Sequence, residues 1–337
     1  MLKARKLLYP FSLLYGGITF LRNKLYDKGI LKSNSYNLPV IAVGNLSVGG
    51  TGKTPMVEYL IKLLEKEYQI ATLSRGYKRS SKGFYLLKGT ETAAEVGDEP
   101  LQFKKKFPEI QVAVDESRSH GIEQLLQQKI SPEVILLDDA FQHRQVKAGF
   151  YILLTPYQNL YLKDLLLPAG DLREARSGAK RADVVIVTKC PENLSREKQE
   201  RISQELKLQP GQQLYFSSIT YFDEVFGKNR NFKLKELQKR HFSLVTGIAN
   251  PAPLVAYLKE RGLDFEHKAF PDHHNFSVSE IKELQSRDLI LTTEKDYMRL
   301  KNDISEENLF YLPIQIRFLN KPEEFEARLD SYLEPAR

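Results

Sequence analysis

The residues best suited to chemistry lie in GNLSVGGTGKTP, residues 44–55. An apolar run, PVIAVGN (39–45), leads into this segment, and an amphipathic pattern, TPMVEYLIKLLEKE (54–67), leads out of it. A glycine-rich turn between strand and helix offers consecutive backbone N–H groups to a polyphosphate, and the helix N-terminus adds positive potential. Gly49, Gly50, Thr51, Gly52 and Lys53 would form that wrap. Lys53 would reach the β- and γ-phosphates, and the Thr54 hydroxyl would hold Mg²⁺. The usual G-x-x-x-x-G-K-[ST] spacing puts Ser47 where the first glycine normally stands, but Gly49 and Gly50 still relieve the turn. Residues 47–54 are therefore expected to bind a nucleotide.

A second acidic feature, ILLDDAFQHR (135–144), ends an apolar run in Asp138 and Asp139. Carboxylates at the carboxyl edge of a buried strand stand where Mg²⁺–phosphate chemistry takes place. At least one should meet the metal or its water shell, while the other could orient water or the loop lysine. VTKCPE (187–192) resembles a guanine-reading TKxD, but Pro191 replaces the carboxylate, which favours ATP over GTP. Val48 stands where membrane-associated partitioning ATPases carry an additional lysine, which argues against a nucleotide-sandwiched dimer of that kind.

These groups need a scaffold, and the hydrophobic pattern supplies one. Residues 39–45, 69–76, 110–116, 133–140, 150–156 and 183–189 read as buried strands. Helical patterns such as RSHGIEQLLQQK (118–129) lie between them. The alternation predicts an α/β fold, a P-loop NTPase-like parallel sheet with helices on both faces. A second α/β series opens at HFSLVTGIAN (241–250), so a smaller domain is expected, with the boundary near residues 210–225. The expected division is an N-terminal segment 1–36, a P-loop kinase core 37–215, and a smaller C-terminal α/β domain with linker strands, 216–337.

The N-terminal segment carries Lys3, Arg5, Lys6, Arg22, Lys24, Lys28 and Lys32 against only Asp27. The apolar stretch 7–21 would span about 22 Å as a helix, short of the roughly 30 Å hydrocarbon core. Flanking cations and aromatic residues suit it to lying in a headgroup layer. Elsewhere the composition is ordinary for a globular chain, with 42% hydrophobic and 28% charged residues, which argues against disorder. The single Cys190 rules out a disulfide-stapled scaffold and favours a reducing compartment. The formal charge of +7 points to an anionic partner, yet no nucleic-acid-binding motif accompanies it, and nucleic acid is not expected as a partner.

Six segments together, GNLSVGGTGKTP, LSRGYKR (73–79), VGDEP (96–100), LLDDAFQHR (136–144), LPAGDLRE (167–174) and FPDHHNF (270–276), resemble the tetraacyldisaccharide 4'-kinase family. The resemblance implies transfer of the ATP γ-phosphoryl group to the 4'-hydroxyl of a tetraacylated glucosamine disaccharide 1-phosphate, in lipid A biosynthesis. It implies a peripheral or monotopic enzyme at the cytoplasmic face of the inner membrane, with Mg²⁺ and no obligate protein partner. Asp98 resembles the family's catalytic aspartate and His273 the histidine paired with it, with His274 the competing assignment. Lys53 and Asp139 join them as catalytic candidates. The substrate's phosphate needs cations, for which Arg75 and Arg173 are foremost, and Tyr77, Gln142 and Glu174 complete the implied acceptor site. The alternative is a P-loop ATPase switch at the membrane, which would need a water-positioning residue but no base for a sugar hydroxyl.

Overall fold

A computed structural model describes residues 5–272 and 274–334. His273 and Lys3 lie outside the described residues. The chain begins with a 3-10 turn, Lys6–Leu8, and then a single helix, α1 (Tyr9–Asp27). No helix among the described residues is long and apolar enough to cross a membrane.

The main lobe runs β1 (Val40–Asn45), α2 (Lys53–Leu64), β2 (Ile70–Ser74), β3 (Tyr85–Leu86), α3 (Ala93–Val96), α4 (Asp98–Lys106), β4 (Gln111–Val114), α5 (Arg118–Leu126), β5 (Val134–Asp138), β6 (Phe150–Pro156), β7 (Val184–Thr188), α6 (Arg196–Leu206) and β8 (Gln213–Tyr221). The smaller lobe follows with β9 (Glu224–Phe226), β10 (Asn231–Lys233), β11 (Phe242–Thr246), α7 (Ala252–Glu260), β12 (Phe265–Ala269), α8 (Val278–Gln285), β13 (Ile290–Thr293), α9 (Glu294–Leu300) and β14 (Leu309–Leu312). The tail consists of β15 (Ile314–Phe318) and α10 (Pro322–Leu333).

The nine-stranded sheet has the order β15-β8-β7-β6-β1-β5-β2-β4-β3, and the six-stranded sheet has the order β10-β9-β14-β13-β11-β12. From β4 across to β8 the large sheet is parallel. Every residue of β1, β2, β5 and β7 is buried, as two covered faces require. Along β1 the side chains alternate between two cores. Ile41 and Val43 pack with Met56, Leu60 and Ile61 of α2, while Val40 and Ala42 pack with Ile122 and Leu125 of α5.

The expected division at residue 216 cuts through β8, which pairs with β7 along Gln213–Phe216 and belongs to the large sheet. The tail then returns, since β15 pairs antiparallel with β8 and thus extends the main lobe. The apolar residues Phe325, Leu329 and Leu333 of α10 share a core with α2, and burying that face keeps residues 314–334 off the smaller lobe.

Strand β1 sits at the centre, with β6 on one side and β5 on the other. The chain winds outward in both directions from it, so a crevice opens at its carboxyl end, where ligands bind in such sheets.

Candidate active site

The phosphate loop leaves β1 at Asn45 and ends at Gly52, the N-terminal flank of α2, where φ is +95°. Only glycine adopts that conformation without strain. Gly44 is needed for another reason: a Cβ there would lie 2.8 Å from the Phe141 backbone nitrogen, so its absence lets the loop after β5 approach β1 closely. The segment 171–173 runs against the start of the loop. The Val48 N–H donates to the Asp171 carbonyl at 2.8 Å, and the Arg173 N–H to the Leu46 carbonyl at 2.7 Å. Ser47 forms the bridge with Leu172 between these bonds. This pairing delivers Arg173 to the phosphate loop.

Asp138 and Asp139 are held differently. Asp139, at a left-handed φ of +48°, takes hydrogen bonds of 3.0 and 2.7 Å from Arg173, and Lys53 lies 3.6 Å away. Burial opposes its charge, but Arg173, Lys53 and Arg118 outweigh that and hold the carboxyl well below the usual range. Lys53 also donates to the Asn45 side chain at 3.5 Å, an atom that Arg173 contacts too. Asp138 is buried, and its Oδ1 has no hydrogen-bond partner among the described residues. Burial, Glu99 and Asp139 push its carboxyl up, against the pull of Lys53 and Arg118. Of the pair, Asp138 therefore carries the oxygen without a hydrogen-bond partner among the described residues, whereas Asp139 is held by Lys53 and Arg173.

Two residues near this pair were not singled out from the sequence. Arg118, the first residue of α5, is buried and donates Nη2 to the Asp138 carbonyl at 2.8 Å. Its Nε and Nη1 have no partner among the described residues, and burial pushes its pKa down to about 10. His143 is pushed down to about 4 by burial, then by Arg118 and Arg75, so it stays neutral at pH 7. Arg75 is thereby placed within electrostatic reach of the same cluster. The sequence offered only an arginine opening the RSHGIEQLL helix, with nothing in its spacing to place it beside the strand-end carboxylates.

Tyr77 is 68% exposed on the loop that follows Arg75. Gln142, half-buried, and the buried Glu174 instead form a brace. Gln142 Nε2 donates to the Asn45 carbonyl at 2.8 Å and to Glu174 at 2.9 Å, and Glu174 also accepts from Arg181 and from Asn23 of α1.

Asp98 begins α4, next to Gly97 at φ +96°, and its carboxylate is paired by Arg299 of α9 in the smaller lobe. Arg299 is anchored in turn by Asp296 at 2.9 Å, and Asp296 accepts from the Gly247 N–H at 2.8 Å. Further ion pairs follow the same seam. Glu99 meets Lys295 at 3.4 Å, and Lys106 meets Glu294 at 3.0 Å. Lys106 also meets Glu58 of α2 at 2.7 Å. The helix that starts at Lys53, the helix that starts at Asp98 and the smaller lobe thus share one partly buried cation. His274 is engaged elsewhere: its Nε2 bonds Glu280 at 3.0 Å, and its ring stacks on Phe270. Among the described residues, no group of three or more His, Cys, Asp or Glu converges as a metal site.

Helix α1 turns its polar residues toward the protein and its apolar residues away from it. Ser12 donates to the Leu166 carbonyl at 2.9 Å, Tyr15 to the Arg173 carbonyl at 2.7 Å, and Arg22 to the Gln142 carbonyl at 3.0 Å. Phe11, Leu14, Ile18 and Leu21, at helical spacing, are each at least 60% exposed.

A family model described as tetraacyldisaccharide-1-P 4'-kinase matches residues 4–334. The chain is 54% identical to the tetraacyldisaccharide 4'-kinase of Flavobacterium johnsoniae, covering 98% of this chain and 97% of the relative. It is 46% identical to the enzyme of the same name from Phocaeicola vulgatus, covering 99% and 96%. The crystal structure of LpxK from Aquifex aeolicus in complex with ATP is similar with a TM-score of 0.80 at 33% identity, covering 98% of this chain and 99% of that one. With a phosphate loop, strand-end acids and an outward apolar helix on one scaffold, the chain belongs to the tetraacyldisaccharide-1-P 4'-kinase family.

Proposed function

We propose that this protein is an ATP-dependent kinase that phosphorylates the 4'-hydroxyl of a tetraacylated glucosamine disaccharide 1-phosphate at a membrane surface. The observation that carries the reading is the hydrogen bond from Tyr15 to the Arg173 carbonyl. It ties the helix with the outward apolar face to the segment that delivers a guanidinium to the phosphate loop. An acceptor held in lipid by its acyl chains would meet the nucleotide there. Exposed cations at the end of α1 and just after it, Lys24, Lys28 and Lys32, suit an anionic headgroup layer, each worth about 1 kcal/mol near such a surface.

Residues 47–54 bind the ATP phosphates, with Lys53 on the β- and γ-phosphates. The vacant Asp138 Oδ1 and the Thr54 hydroxyl fit a hard divalent cation whose remaining ligands are phosphate oxygens and water. Mg²⁺ held there would neutralise charge on the transferring phosphoryl group. Asp98 accepts the proton of the acceptor hydroxyl as that oxygen bonds to the γ-phosphorus and the bond to the β-bridging oxygen breaks, releasing ADP. Asp139 keeps Lys53 and Arg173 oriented. Arg173, Arg75 and Tyr77 face the acceptor, and His273 is assigned to pair with Asp98.

The test is incubation with γ-labelled ATP, Mg²⁺ and the tetraacyl disaccharide 1-phosphate in mixed micelles. Label in the lipid, at the 4'-position, is the expected result. ATP hydrolysis indifferent to the lipid would overturn the reading in favour of an ATPase switch.

A further inference from the structure

The phosphate loop is gripped from behind by the end of β7. Thr188, fully buried, donates its Oγ1 to the Thr51 carbonyl at 2.7 Å. Lys189 donates its Nζ to the Gly50 carbonyl at 2.6 Å. Packing confirms the closeness: a Cβ on Gly52 would lie 3.7 Å from Thr188 Cβ, and one on Gly50 would lie 3.6 Å from Lys189 Nζ.

The consequence follows from peptide geometry. In a trans peptide plane the C=O and N–H point in opposite directions. Anchoring the Gly50 carbonyl on Lys189 therefore aims the Thr51 N–H away from β7. Anchoring the Thr51 carbonyl on Thr188 does the same for the Gly52 N–H. These are two of the donors that a polyphosphate needs, and a cradle that is set before the ligand arrives has less ordering to do on binding.

Lys189 also holds a left-handed φ of +56°, a region that favours glycine or asparagine over lysine.

We propose that Thr188 and Lys189 are positioning residues that pre-set the phosphate loop by anchoring the Thr51 and Gly50 carbonyls. This rests on residues 47–54 being the phosphate loop, and it assigns Lys189, the lysine of the TKxD-like VTKCPE, to the loop backbone instead of to a nucleotide base.

The experiment measures equilibrium binding of ATP and of inorganic tripolyphosphate to the full chain, alongside its melting temperature. Thr188→Val keeps the shape and removes the hydroxyl. It should weaken ATP and tripolyphosphate by the same factor, about tenfold, the loss expected for one hydrogen bond's worth of organisation. Thr188→Ser should restore both. Lys189→Met should weaken both alike, and the loss should persist at high salt, where a pure charge effect would fade.

A loss confined to ATP would place Lys189 on the base and sink its part of the proposal. A lowered melting temperature with unchanged affinities would make both residues structural only and overturn it. If the unmodified protein binds neither ligand, the phosphate-loop reading itself fails, a result distinct from either.

Discussion

Two acidic sites serve the main lobe, and they differ in where their partners come from. The Asp138–Asp139 pair is set by Lys53, Arg173 and Arg118, all from the main lobe. Asp98 is paired by Arg299, which lies 201 positions along the chain in the smaller lobe. The first site is complete within one lobe, whereas the second depends on how the lobes sit. In the proposed reading, nucleotide binding and activation of the acceptor are therefore separable, and mutations should divide along that line.

The sharpest break comes from Asp98→Ala. Losing a general base costs about 10² to 10⁴ in rate, so kcat should fall by that factor while ATP affinity stays nearly constant. A defect expressed only through KM would erase the contrast. On the other side, Lys53→Ala removes the principal cation of the phosphate loop. It should lower turnover roughly 10² to 10³-fold and weaken ATP as well, measured by calorimetric titration beside steady-state kinetics. Retained ATP affinity in that variant would move the phosphate contact elsewhere.

Lys106 tests the link between the two sites. Lys106→Met leaves Glu58 and Glu294 buried without their shared cation, a change that typically costs about 3 to 5 kcal/mol. Burial first and then Glu58 already push Glu294 up to about 7, so the loss should be larger at pH 8 than at pH 6, where protonation relieves it. A denaturation series at both pH values checks this, and equal losses would contradict it.

The smallest effect concerns Asp138. Burial, Glu99 and Asp139 push it up to about 7, above the value of about 4 in an unfolded chain. Between those values the folded protein binds the extra proton, so this residue's contribution to stability falls as pH rises through that window. Asp138→Asn should raise the melting temperature of the nucleotide-free protein at pH 8 by a few degrees, about 2 to 4 °C per kcal/mol, and change little at pH 5. Phosphoryl transfer should fall in the same variant. A stabilisation independent of pH would point to a cause other than ionisation.

Legibility in the sequence follows the same division. The loop, its strand and its helix are contiguous, and β1, β2, β5, β6 and β7 are near-continuous apolar runs, so period and punctuation suffice to place them. Asp138 and Asp139 stand out because charge abruptly ends an apolar strand. Arg299, Lys295 and Glu294 offered less, because their partners are joined only by tertiary folding. The one local cue was a dense set of charges directly after the buried strand β13, including the Asp296–Arg299 pair three positions apart. Glu58 gave a comparable cue, an acid on the apolar face of α2. The tail was misplaced because β15 is too short for its pattern to show which sheet it joins. Helix α1 was read for its apolar surface, but Ser12, Tyr15 and Asn23 gave no sign from spacing alone that they dock it on residues 166–174.

The dependence of Asp98 on the smaller lobe is tested most directly by Arg299→Gln. Two quantities are needed: the ATP dissociation constant, and the single-turnover rate of transfer from bound ATP to the lipid acceptor. The account predicts a dissociation constant within about twofold of the unmodified protein and a transfer rate lowered about 10- to 100-fold, the range for a group that positions a catalytic residue. A weakened ATP complex with an unchanged transfer rate would contradict it.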